Sequence, residues 1–199
     1  MARPSNRSQR RAQITEALLV VMARRGYERA TVAEIAREAG LASGLLHYHF
    51  KDKQAVLVEL GRRLGAVLAS RVQHRLAHET TPGGRLDAYL EAHLALGPDA
   101  DPKAVASWVA LGAEAIRQPE VREVYAKVIT EDLTKLEGLV RAALLEKRGH
   151  AAGAKAIAAG IFAAIQGYFV LSAAAPTVVP AGTAAGSIKR MAAGLLASG

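Results

Sequence analysis

Apolar residues along this chain recur at i, i+3, i+4 and i+7, and no stretch shows sustained alternation rich in β-branched residues. The pattern predicts helices and no strands, with glycine and proline as punctuation. A first helix is expected over 8–25, with Ile14, Ala17, Leu18, Val21 and Met22 on its apolar face and Gly26 closing it. Residues 31–50, TVAEIAREAGLASGLLHYHF, read as two short helices joined by a tight turn. Thr31 and Glu34 have the spacing of a capping box. Val32, Ile35, Ala36 and Ala39 make one apolar face, and Gly40 stands where the chain must turn left-handed. A second short helix begins near Ala42–Ser43, with Leu45, Leu46 and Phe50 as core contacts and Ala36 small enough for a steep helix crossing. This is the pattern of a helix-turn-helix, whose second helix enters the major groove of DNA.

The remaining elements follow the same logic. Asp52 is a good N-cap for a helix running to about 78, and Pro82 opens another to about 96. Gly97-Pro98-Asp99 breaks it, and a further helix spans 102–117. Pro119 starts a long helix with Glu120 and Glu123 near its beginning; Arg141, Lys147 and Arg148 lie near its end and Gly149 follows, an order that complements the helix dipole. Helices over 153–175 and 183–197 flank a loop from Pro176 to Gly182. The expected fold is all-α with nine helices: an N-terminal three-helix helix-turn-helix domain over 8–68 and a C-terminal helical bundle over 69–199.

Charge sharpens the picture. The net charge is +8, and residues 1–63 hold 12 Lys/Arg against 6 Asp/Glu, whereas residues 64–199 hold 14 against 12. The excess sits on the segment with the groove-reading motif, as a polyanionic partner requires. Helix 3 is barely two turns long, so few side chains reach base edges. Ser43, Gly44, Leu45, His47 and Tyr48 are the candidates: Gly44 permits close backbone approach, Leu45 fits a thymine methyl, His47 can donate or accept, and Tyr48 offers a hydroxyl to phosphate. Thr31 and Lys53 stand at helix N-termini suited to phosphate. Arg7, Arg10 and Arg11 read as a mobile arm adding phosphate or minor-groove contacts. His49 is expected to support the core, and Phe50 to be part of it.

These residues resemble the TetR family of bacterial transcriptional regulators. The resemblance is carried by Ala30-Thr31-Val32, Ile35-Ala36, Ala39-Gly40-Leu41, Ser43-Gly44-Leu45-Leu46, Tyr48 and Phe50-Lys51-Asp52-Lys53. Trp108-Val109-Ala110, Arg117-Gln118-Pro119 and Gln166-Gly167-Tyr168-Phe169 are similar to the C-terminal half of a subgroup that includes regulators of betaine synthesis. The chain departs from the family pattern at Ala42, where Ser or Thr is frequent, so that Ser43 is left to serve as cap or phosphate contact. It departs again at Ser43, His47 and His49, which gives the groove-facing surface its own chemistry. The resemblance implies a sequence-specific DNA-binding regulator in the cytoplasm, a repressor released from an inverted-repeat operator by a small organic effector. Effector binding is implied to shift helix 4 and the separation of the recognition helices. It also implies a homodimer through the last two helices, and an effector pocket to which Tyr89, His93, Trp108, Tyr125, Phe162 and Gln166 contribute, with Glu114, Tyr168 and Phe169 nearby.

Residues 156–188 contain no charged side chain. A bilayer span would need about 20 apolar residues, but this run is mostly weakly hydrophobic Ala and Gly, with Gln166 at its centre. The reading preferred is a helix buried on nearly all sides, with Gly160, Ala163, Ala164 and Gly167 letting another helix approach closely. An enzyme finds little support: there is no cysteine, no paired-His metal motif and no Gly-rich phosphate loop. His74 and His78 are i, i+4 on helix 4, but no third metal ligand is evident beyond Glu79. No cofactor is expected. The opening MARPSNRSQRRAQ is basic and has no apolar run of the kind a secretory signal needs. An architectural DNA binder without effector is the other reading, and it predicts binding nearly indifferent to sequence.

Overall fold

The structure is a computed structural model that describes residues 6–94 and 101–197. Among the described residues the chain forms nine helices and no strand: α1 (Asn6–Arg25), α2 (Val32–Glu38), α3 (Ser43–His49), α4 (Lys53–Leu76), α5 (Pro82–Leu94), α6 (Pro102–Arg117), α7 (Pro119–Arg148), α8 (Ala154–Ala174) and α9 (Ala184–Ala197). The expected break at Gly97-Pro98-Asp99 lies outside the described residues. The helix ends follow local chemistry. Gly26 and Gly149 stop α1 and α7 with φ of +75° each. Asp52 Oδ1 accepts from the Ala55 N–H at 2.7 Å and caps α4.

The α2 ends are the most completely built. Thr31 Oγ1 accepts from the Glu34 N–H at 3.2 Å, and Glu34 Oε2 accepts from the Thr31 N–H at 3.1 Å. At the other end Gly40, with φ +64°, donates to the Arg37 carbonyl, and Leu41 donates to the Ala36 carbonyl. That pair of bonds is a Schellman motif, which needs a left-handed residue where Gly40 stands. By contrast α3 begins at Ala42 with no side-chain cap, so Ser43 does not cap it. Alanine has no oxygen to offer, and Ser43 is already the first helical residue.

The chain falls into two compact units. The first comprises residues up to Leu64 together with Lys103–Ala126. Its core is built from Ile14, Leu18, Ile35, Leu46, Phe50, Val56, Leu57, Leu111 and Val121, all nearly or fully buried. Gly61 lets α4 approach α6 closely: a Cβ there would lie 2.9 Å from a Leu111 methyl, which would have to shift. Thus α6 and the start of α7 share a core with the helix-turn-helix, well beyond residue 68.

The second unit comprises Gly65–Pro102 and Lys127–Gly199. Its core is formed by Leu86, Tyr89 and Leu90 of α5, Leu136, Val140 and Leu144 of α7, Ile161 and Ile165 of α8, and Ile188 and Ala192 of α9. Arg148 donates to the Leu196 carbonyl at 2.8 Å and so covers the end of α9. Helix α8 is long and apolar enough to cross a membrane, but it is not buried on nearly all sides as its composition predicts. Ala154, Ala158, Ile161, Phe162, Ile165 and Phe169 are buried, whereas Ala159, Gly160, Ala163, Gly167, Val170 and Leu171 are exposed. The helix is apolar all round, yet the unit has elements enough to cover only one side.

Candidate nucleic-acid interface

Helix α3 is held from below and left open above. Leu46 is fully buried, and His49 and Phe50 are nearly so. Ser43, Gly44, Leu45, His47 and Tyr48 are all exposed, Tyr48 to 76%. Leu45 is 39% exposed, so it belongs to the open face and not to the core contacts its apolar character predicts. An added Cβ on Gly44 would meet nothing, which leaves the backbone there accessible to a ligand. The exposed face therefore offers a hydroxyl, an imidazole, a phenol, an aliphatic tip and bare backbone within two helical turns. Those are groups that read base edges and phosphates.

The flanking basic residues are placed differently from their sequence reading. Arg7, Arg10 and Arg11 belong to α1, a regular helix from Asn6, and so do not form a mobile arm. Arg10 Nη1 donates to Gln13 Oε1 at 2.8 Å. Arg11 Nη1 donates to the His49 carbonyl at 2.8 Å, its Nη2 pairs with Glu59 at 3.1 Å, and its guanidinium lies 4.1 Å from the Phe50 ring centroid. Lys53 is also engaged: Nζ donates to the Tyr27 and Glu28 carbonyls at 3.0 and 3.3 Å and sits 4.2 Å from the Tyr27 ring centroid. Thr31 stays exposed, with its hydroxyl within the capping box. On α2, Glu38 pairs with Arg24 at 2.9 Å and Glu34 with Arg25. The Thr31 backbone and side-chain hydrogen bonds hold the Glu34 carboxyl below the usual range.

The residues assigned to an effector pocket separate into two groups. Trp108 and Tyr125 stack in the first unit with centroids 4.7 Å apart, and Gly112 makes room for the Tyr125 hydroxyl. Glu114 is buried in the same unit, where Arg117 and Gln118 donate to its two oxygens at 3.0 and 2.7 Å. Arg117 also reaches Glu28 at 3.0 Å. Burial and the nearby Glu114 charge push the Tyr27 phenol up to about 12.

Tyr89, His93, Phe162 and Gln166 lie in the second unit. Tyr89 is fully buried and donates to Asp132 Oδ1 at 3.0 Å. Burial, then the Asp132 carboxyl, pushes its phenol up, so it remains a donor. His93 Nδ1 lies 2.9 Å from the Tyr89 carbonyl and Nε2 lies 2.8 Å from Asp132 Oδ2. Both ring nitrogens thus face oxygen acceptors. A carbonyl can only accept, so Nδ1 is the donor in that contact. Asp132 is absent from the sequence-based set. Its signal was a carboxylate within the apolar row Val121, Val124, Val128, Leu136 and Val140 of α7. His74 and His78 pack edge to face 5.1 Å apart, but among the described residues no group of three or more His, Asp or Glu could hold a metal ion.

A capped α2, a Schellman turn and an exposed α3 are the parts of a DNA-reading motif, and comparison with known proteins assigns them to a family. Residues 14–60 match bacterial regulatory proteins of the tetR family. Residues 82–197, more than half the chain, match the C-terminal region of BetI-type transcriptional repressors. The chain belongs to the TetR family. Among its TetR relatives, the HTH-type transcriptional regulator BetI of Serratia proteamaculans is 31% identical over 117 residues, 58% of this chain and 59% of that protein. The protein of the same name in Rhizobium meliloti is 32% identical over 127 residues, 62% of each. The matches thus span about three fifths of the length of these relatives, which are named as regulators and not as enzymes. Two solved structures share the fold. A transcriptional regulator from Pseudomonas aeruginosa has a TM-score of 0.83 at 24% identity, covering 96% of this chain and 91% of that one. One from Saccharomonospora viridis, in complex with choline, has a TM-score of 0.78 at 22% identity, covering 95% and 96%.

Proposed function

We propose that this TetR-family chain is a cytoplasmic, sequence-specific DNA-binding repressor that acts as a homodimer on an inverted-repeat operator and is released by a small organic effector. The observation that carries the reading is the open face of α3, with Ser43, Gly44, Leu45, His47 and Tyr48 exposed above a buried Leu46. Thr31 and Lys53 flank it as phosphate contacts, Lys53 only if its ammonium leaves the two carbonyls it serves in the free protein.

Dimerisation through α8 and α9 is supported by the uncovered side of α8. A Cβ added at Gly160 or Gly167 meets nothing within the chain, so these small residues serve the approach of something outside it. A second copy fits better than a lipid bilayer, because Gly and Ala give little hydrophobic gain but allow close helix contact. A two-fold dimer would present two α3 helices about 34 Å apart, one turn of DNA.

The functional division is placed at 68/69, with the effector bound by the C-terminal part. Of the residues read from the sequence, Tyr89, His93, Phe162 and Gln166, which share one unit, remain its proposed contacts. Choline, bound by the Saccharomonospora viridis neighbour, is the first compound to titrate. An effector that prefers the DNA-incompetent state must bind more weakly when operator is present.

The test is selection from a randomised DNA library with the purified protein at near-physiological salt. Enrichment of an inverted repeat is expected. Weak, salt-sensitive binding with nothing enriched would favour a non-specific architectural role and overturn the proposal.

A further inference from the structure

The two helices of the motif end in carbonyl groups, and α1 supplies side chains to both. Ala39, the C-cap of α2, has its carbonyl bound by Gln13 Nε2 at 2.5 Å. Arg10 donates to the other end of that amide and so fixes which end is the nitrogen. His49, the last residue of α3, has its carbonyl bound by Arg11 Nη1 at 2.8 Å. The same guanidinium covers the face of Phe50, the C-cap of α3. Its Nη2 reaches Glu59 on α4 at 3.1 Å, nearer than Arg62 or Arg63, each at 3.8 Å.

A seven-residue helix satisfies few of its own backbone groups, and its last four carbonyls have no partner within it. Helix α3 also lacks a side-chain cap at its start. Beyond the burial of Leu46, His49 and Phe50, its orientation therefore depends on how its end is held. Arg11 holds that end at three points: a carbonyl, an aromatic face and an anchor on α4. Its planar fork serves all three together, which a lysine ammonium cannot do.

We propose that Arg11 is the positioning residue for the recognition helix, with Gln13 doing the same for α2, and that Arg11 makes no phosphate contact. The inference rests on the reading of α3 as the DNA-reading element. It changes the meaning of a basic cluster at the start of such a chain: the Arg11 charge is used inside the protein, on the negative end of α3. Without it α3 tilts, and the exposed Leu45, His47 and Tyr48 lose register with the base edges. Specificity falls while the number of phosphates neutralised stays the same.

The experiment compares wild type, Arg11→Ala, Arg11→Lys and Gln13→Ala on the duplex enriched by wild type and on a scrambled duplex, across a range of salt concentrations. Positioning predicts that Arg11→Ala lowers the ratio of specific to non-specific affinity about tenfold, the size of one lost base contact, with the salt slope unchanged. Arg11→Lys shows the same fall despite its retained charge, and Gln13→Ala a smaller one. If Arg11→Ala does not fold, Arg11→Lys decides, because a loss of folded fraction alone weakens binding to both duplexes equally and leaves the ratio intact. A slope lower by about one unit with the ratio kept would make Arg11 a phosphate contact and overturn the proposal. So would an unchanged ratio and slope. A wild-type protein with no preferred duplex would instead overturn the reading of α3 itself, a result visible before any substitution is made.

Discussion

Helices α3 and α8 each have one side packed and one side open, and the two open sides differ in kind. The exposed residues of α3 are Ser43, Gly44, Leu45, His47 and Tyr48, mostly groups that hydrogen-bond to water when nothing else is present. Between Lys155 and Ser172 near its two ends, the exposed residues of α8 include Ala159, Gly160, Ala163, Gly167, Val170 and Leu171, groups that water only penalises. A polar open face costs the free protein little and can wait for an intermittent partner such as an operator. An apolar face left wet forgoes about 25 cal/mol for each square ångström it could bury, so a lasting partner is the natural cover. Exposure alone does not identify a functional surface; the chemistry of the exposed atoms says what kind of partner each surface fits.

The largest expected effect breaks the α8 side of this comparison. Gly167→Glu places a charge where a Cβ has open space within the chain. The protomer should keep its fold, since glycine is a poor helix former. In a dimer the carboxylate would be buried and unpaired, at a cost of about 3–5 kcal/mol. Light scattering should show a monomer. Affinity for a two-half-site duplex should fall on the order of a hundredfold, because joint engagement of the half-sites is lost. A stable dimer with unchanged DNA affinity would remove this face of α8 from the interface.

The next pair of substitutions separates the two sides of α3 itself. Leu46→Ala deletes a fully buried side chain and should cost about 2–5 kcal/mol in chemical denaturation. His47→Ala, one residue away and exposed, should change stability by no more than about 0.5 kcal/mol. It should instead relax base preference at one position of the enriched site by about 1–3 kcal/mol. If His47→Ala destabilised the fold as Leu46→Ala does, the division of this helix into anchor and reader would be wrong.

Lys53 tests how far a flanking cation is committed internally. If it leaves Tyr27 and Glu28 for a phosphate on binding, Lys53→Ala weakens binding to all sequences and lowers the salt slope by about one unit. An unchanged slope with reduced stability would confine it to holding the turn after α1.

What the sequence made legible follows the range of each signal. The capping box, the turn at Gly40, the stop glycines and the Asp52 cap are decided within four residues, and each is where the pattern predicts. The buried positions of α1 and α2 follow the same way from helical periodicity. Arg11 was misplaced because its partners, His49 and Glu59, are 38 and 48 residues away, and a basic residue near a chain start looks the same whether it meets phosphate or carbonyl. Helix α6 joins the first unit through Leu111, and nothing in its own composition distinguishes that destination. The one-sided burial of α8 was hidden because a helix apolar all round has no periodicity to show which side is covered. Asp132 was readable in principle, as the one carboxylate in an apolar row, but the partners that give it meaning, Tyr89 and His93, are 43 and 39 residues away.

The smallest effect lies between these cases, at the start of α2. Thr31→Ala removes the hydroxyl that caps Glu34 while leaving the α3 face untouched, and should cost about 1 kcal/mol. The hydrogen bonds from Thr31 lower the Glu34 carboxyl in the folded protein. A lowered folded value means the stabilisation is fully present above the ordinary carboxylate range and is lost as the pH falls through the lowered one. The stability gap between wild type and Thr31→Ala should therefore be widest near neutral pH and narrow in acid without closing, because the hydroxyl still accepts from the Glu34 N–H; denaturation at pH 7 and pH 3 would measure it. A gap of equal size at both would mean that the threonine acts through its own hydroxyl alone, with no contribution from the charge of Glu34. If Thr31 also meets a phosphate, the same variant weakens specific and scrambled duplexes alike. Recognition would then be divided within a single motif, with backbone contacts at the capped end of α2 and base reading left to the uncapped α3.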